Sequence, residues 1–91
     1  MSKLSRKESM AIATIHDALR ELRIKGRHAN VNMYEEAICI TSYADTELEA
    51  MKVKKILKFF MDDDDTLHVH HYPSSGDINE FFAVKLEKKM V

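Results

Sequence analysis

The chain has 91 residues, 45% of them hydrophobic and 32% charged, and its fourteen basic and fifteen acidic side chains leave a formal net charge of −1. That length makes one domain with one modest core, and the composition is that of a folded chain rather than a disordered one. The charge balance argues against an overall basic nucleic-acid binder or an acidic solvating tail, and a lone cysteine, Cys39, excludes an internal disulfide and a Cys-rich zinc module.

The first element reads as a helix. Ser5-Arg6-Lys7-Glu8 fits a capping box, and Ile12, Ile15, Leu19 and Leu22 recur at spacings of three and four, with Ala11 and Ala18 widening the stripe. Gly26 places the end near Lys25, because helices commonly close on a residue at positive φ. Ala29–Met33 and Ala37–Thr41 alternate as two short strands joined by Tyr34-Glu35-Glu36. A second helix starts near Asp45, with Thr46-Glu47-Leu48-Glu49 as a further capping box. Val53, Ile56, Leu57 and Phe60 form its apolar stripe, and it stops within Asp62–Asp65.

Leu67–Tyr72 reads as a third strand, Pro73-Ser74-Ser75-Gly76-Asp77 as a turn, and Asn79–Leu86 as a fourth strand, with a fraying tail over Lys88–Val91. The order α-β-β-α-β-β predicts a single α+β domain over residues 1–91, with two helices on one face of a four-stranded, mostly antiparallel sheet. A shift of 38 residues lays Leu19 on Leu57, Val31 on Val69 and Tyr34 on Tyr72, as a weak internal duplication over about 5–42 and 43–87 would. The expected core is Ile12, Ile15, Leu19, Leu22, Val31, Ile38, Ile40, Val53, Leu57, Phe60, Leu67, Val69, Phe82, Val84 and Leu86.

Alternation then assigns the uncovered sheet face to Asn30, Asn32, Tyr34, Ala37, Cys39, Thr41, His68, His70, Tyr72, Phe81, Ala83 and Lys85. A charge-poor surface that mixes aromatic, small and hydrogen-bonding groups has the composition of an interface core. Asn30, Asn32, Tyr34, His68, His70, Tyr72 and Phe81 are therefore the candidate partner-binding residues, and homodimerisation through this face is the simplest version. The acidic run Asp62, Asp63, Asp64 and Asp65 is a second candidate contact, suited to a basic partner surface.

His68 and His70 project to one side of a strand, but two imidazoles fall short of the three or four ligands of a zinc site, so no metal is expected. The basic residues concentrate early, with Arg20, Arg23, Lys25 and Arg27 at the end of the first helix. Together with the sheet aromatics they give the alternative reading, a nucleic-acid-binding module. A His-based metal-binding domain ranks third.

No Gly-rich phosphate loop, G-x-S-x-G elbow or H-E-x-x-H helix occurs, and no nucleophile–base–electrophile set is complete. Neither catalysis nor a cofactor is expected. With no apolar run of membrane-spanning length and no secretory pattern at the start, the expectation is a cytoplasmic protein that does not engage the membrane. A small charge-polarised domain without catalytic parts suits a regulator, adaptor or inhibitor, of the kind that phages and plasmids carry as accessory proteins. Its expected partner is another protein, a second copy of itself, or both.

Overall fold

The computed structural model describes residues 5–91. Helix α1 spans Arg6–Ile24, strands β1 and β2 span Ala29–Met33 and Ala37–Ala44, helix α2 spans Glu47–Lys58, and strands β3 and β4 span Thr66–Tyr72 and Phe81–Lys89. This is the expected α-β-β-α-β-β order. The strands lie in the order β1-β2-β4-β3 with every neighbouring pair antiparallel. Strands β2 and β3 are both antiparallel to β4 and so parallel to each other; α2 connects them as a β-α-β crossover split by β4. The two hairpins meet through their second strands, so β2 and β4 are central and β1 and β3 are the edges.

Local chemistry explains the helix ends. The Ser5 and Thr46 hydroxyls accept from the backbone N–H groups of Glu8 and Glu49 respectively, each at 3.1 Å. Glu49 does not close the second capping box; its carboxylate goes instead to Arg27 and Lys52. At the other end of α1, Gly26 adopts φ +74° and the N–H of Arg27 donates back to the Leu22 carbonyl at 2.8 Å, a Schellman closure. The chain then turns directly into β1.

Both helices pack on one sheet face. Ala11, Ile15, Ala18 and Leu22 of α1 and Ala50, Val53 and Leu57 of α2 are buried against Ile38, Ile40 and Ala44 of β2 and Phe82, Val84 and Leu86 of β4. The core therefore lies under the central strands. Val31 and Val69 face the helices as expected but remain 39% and 41% exposed, a correction to their core assignment. They sit on edge strands, where two helices do not reach fully across. Ile12, Leu19, Phe60 and Leu67 are partly buried at the core margin.

Strand β2 continues past Thr41 because Ser42, facing the helices, is fully buried and satisfied: its hydroxyl donates to the His28 carbonyl at 2.8 Å. Strand β4 starts at Phe81 rather than Asn79, because Ser75–Ile78 close a small bridge of their own. Helix α2 ends at Lys58, earlier than expected, and the chain tightens through Phe59–Met61 by bonds to carbonyls three residues back.

The expected fraying of Lys88–Val91 is overturned. Lys88 and Met90 are buried, and β4 runs to Lys89. The Lys88 ammonium donates to the Asp65 carboxylate at 2.6 Å, to the Phe60 carbonyl at 3.0 Å and to Asp62 at 3.1 Å, using all three of its donors. Asp65 also accepts from the backbone N–H groups of Asp62 and Lys89. The end of β4 is thus held to the segment that follows α2.

Leu57 is fully buried whereas Leu19 lies at the core margin. Leu57→Ala is expected to cost about 2–5 kcal/mol, the range for emptying a core leucine site, and Leu19→Ala less. Urea denaturation of both variants checks the order; equal or reversed costs would contradict the packing described.

Candidate functional site

Among the described residues, nothing covers the sheet face opposite the helices. Strand register lays its residues in rows. Asn32, Cys39, Glu87 and Thr66 cross the sheet at one level, Asn30, Thr41, Lys85 and His68 at the next, and Tyr43, Ala83 and His70 at the third. Phe81 and Tyr72 form the last row. Every residue assigned to this face by alternation lies on it. Tyr43, Thr66, Glu87 and Lys89 join it because β2, β3 and β4 are longer than expected.

The aromatic side chains do not form one patch. Tyr72 stacks on Phe81 with ring centroids 4.7 Å apart and planes 11° from parallel, and Tyr43 meets Phe81 at 6.1 Å and 59°. These three rings make a cluster at one end of the face, with Tyr43 and Tyr72 about half exposed. Tyr34 lies at the opposite end. It follows β1, and its ring lies 6.0 Å from the Lys85 ammonium on β4, a cation–π contact that spans β2. Tyr43 lies beyond the expected Ala37–Thr41 strand, although alternation through Ala37, Cys39, Thr41 and Tyr43 carries the signal up to the Asp45-Thr46 helix start.

The contact between Tyr34 and Lys85 explains why small residues on an open face are buried. Tyr34, Ala37, Cys39, Lys85 and Glu87 line one shallow depression, and Cys39 is 1% exposed. Burial pushes the Cys39 thiol above its ordinary pKa, with the Lys85 charge acting in the other direction. A nucleophilic cysteine needs the opposite shift.

On the edge strand β3, His68 and His70 have ring centroids 5.9 Å apart. His71 points to the helix side, where it stacks on Phe82 and its Nε2 lies 2.7 Å from Glu80 Oε1. Among the described residues of one chain, no group of three or more His, Cys, Asp or Glu side chains could hold a metal.

The acidic run behaves differently from the face. Asp65 is buried in the Lys88 network, so its assignment as a partner contact is corrected: its carboxylate is consumed inside the fold. Asp62 shares Lys88, and Asp64 pairs with Lys7 of α1 at 2.6 Å. Asp63 makes no ion pair among the described residues. The Lys7 hydrogen bond holds the Asp64 carboxyl below its ordinary range, and Arg27 followed by Lys52 does the same for Glu49. Carboxyls that titrate lower when folded favour the fold at neutral pH, and that contribution is lost as acidification passes through their depressed values.

The basic residues of the alternative reading lie on the helix side. A groove of about 650 Å³ between the helix ends is lined by Lys25, Arg27, Lys52, Lys55, Ile56 and Phe59, with Glu21 among the cations. Arg27 is paired with Glu49 and Lys25 with Glu21. The fold therefore sets the basic helix end and the sheet aromatics on opposite sides. No protein-family model matches the chain, and no curated protein matches it.

With Cys39 buried and its thiol disfavoured as thiolate, a disulfide reagent at neutral pH is expected to label the native protein far more slowly than the urea-unfolded chain. Absorbance of the released thiol reads the rate; equal labelling of both states would contradict the covered depression.

Proposed function

We propose that the chain works by binding another protein, as a regulator, adaptor or inhibitor, and that the uncovered sheet face is its binding surface. The observation that carries this reading is the cluster of Tyr43, Tyr72 and Phe81 at one end of that face, beside Ala83 and with no charged side chain in its row. Exposed aromatic groups with low side-chain entropy are the usual anchors of protein interfaces. Small neighbours let a second surface come close, and His70, Thr41 and Asn30 supply hydrogen-bonding groups around the anchor.

A single-stranded nucleic acid is less well served by this arrangement. Base stacking needs open ring faces together with a cationic path for the backbone. Here Tyr72 and Phe81 occupy one face of each other, and Arg20 and Arg23 belong to the helix on the far side of the sheet.

Phe81→Asp puts a charge in the anchor without touching the core residues under the helices. The variant is expected to melt close to the wild type and to lose at least tenfold in affinity for a partner captured from the source cell, purified and measured by titration calorimetry. Undiminished binding by Phe81→Asp would contradict the proposal. Tight, salt-sensitive binding of mixed oligonucleotides in place of any protein would replace it with the nucleic-acid reading.

A further inference from the structure

Strand β3 is an edge. It pairs with β4 on one side only, and among the described residues the backbone groups along its other side have no strand partner. Natural edges of this length are commonly defended by lysine, proline or an inward-pointing charge. Thr66-Leu67-His68-Val69-His70-His71-Tyr72 carries none of these, and its central Val69 is 41% exposed.

The geometry of antiparallel pairing restricts what a second copy could do there. A two-fold axis perpendicular to the sheet must lie midway between two copies of one residue, so that like faces meet. Centred on Val69, all seven residues of β3 pair; centred on His68 or His70, only five do. The fullest register sets Val69 against Val69 of the second copy and Leu67 against His71 on the helix side. On the open side it sets His68 against His70 and Thr66 against Tyr72.

That register brings four imidazoles together on one surface. Within one chain His68 and His70 are already on the same face with ring centroids 5.9 Å apart. Side chains directly opposite across an antiparallel pair have Cβ atoms roughly 4.5–5.5 Å apart. Lys85, the cation on β4 directly opposite His68, leans the other way, toward Tyr34. One chain alone supplies two ligands, short of a zinc site, whereas two chains supply the four of a closed tetrahedral one.

We infer that β3 pairs with β3 of a second copy to form a continuous eight-stranded sheet, and that His68 and His70 of both copies hold one zinc-class divalent cation across the join. The second copy is the favoured occupant of this edge because it completes the ligand set in register. An unrelated strand would satisfy the backbone groups but leave two imidazoles without a metal. Tyr72 of the aromatic anchor and His70 beside it also lie on β3, but zinc content and chain mass are read with no protein partner present, so either reading can fail without the other.

The test is the full chain with zinc as the only added probe. Analytical ultracentrifugation with zinc, and with a chelator, gives the mass relative to the 10.5 kDa chain. Metal analysis after dialysis gives the stoichiometry. The expected result is a zinc-dependent dimer that retains one ion per two chains.

His70→Ala is expected to weaken zinc-dependent association at least tenfold with an unchanged melting temperature. Val69→Lys, which keeps both histidines but charges the edge, is expected to do the same. His16→Ala, altering an exposed histidine of α1, is expected to dimerise as the wild type does. A monomer that keeps one ion per chain, a dimer indifferent to zinc or to His70→Ala, or no zinc uptake would each overturn the inference.

Discussion

Two helices can cover only one face of a four-stranded sheet, and the organisation of this protein follows from that constraint. The covered face must be apolar, and Ile38, Ile40, Val84 and Leu86 of the central strands supply it. The edges lie at the limit of the helices' reach, so Val31 and Val69 stay partly in water although they point the right way. The opposite face has no partner among the described residues. Its composition is therefore free of the demands of the core, and aromatic and small residues there call for a reason outside the fold.

One polar device lets the core extend to the end of the chain. Lysine is rarely buried, because its charge must be met by acceptors in fixed positions. Lys88 is buried with a carboxylate, a second carboxylate and a backbone carbonyl at its three donors. Those acceptors come from the segment after α2, so the acidic run ties together the end of α2, the end of β4 and, through Asp64 and Lys7, the first turn of α1. Of this acidic run, Asp65 is a buried clasp, while Asp62 and Asp64 pair with lysines from the surface.

Most of the architecture was legible from periodicity. The stripes of both helices, the caps at Ser5 and Thr46 and the turn at Gly26 are local signals, and local geometry obeys them. The division of the strands into covered and uncovered faces was legible for the same reason, since alternation is a property of the pleat. What escaped was non-local. Ser42 falls outside the Ala37–Thr41 alternation because its bond to the His28 carbonyl is made across the β1–β2 hairpin, fourteen residues away. Lys88 looked like a frayed tail because its partners lie more than twenty residues earlier. The separation of Tyr34 from Tyr72 and Phe81 depends on the strand order β1-β2-β4-β3, which alternation does not encode.

On the proposed reading, the protein binds through the side that its own helices leave open, with Tyr43, Tyr72 and Phe81 as the anchor. The helix side offers the competing surface, where Phe59 is 85% exposed beside the basic groove. Aromatic-ring NMR signals followed during titration with the purified partner discriminate between them directly. The account predicts that the Tyr43, Tyr72 and Phe81 ring resonances shift or broaden while those of Phe59 and Phe60 stay in place; movement of Phe59 and Phe60 with the sheet rings unchanged would contradict it.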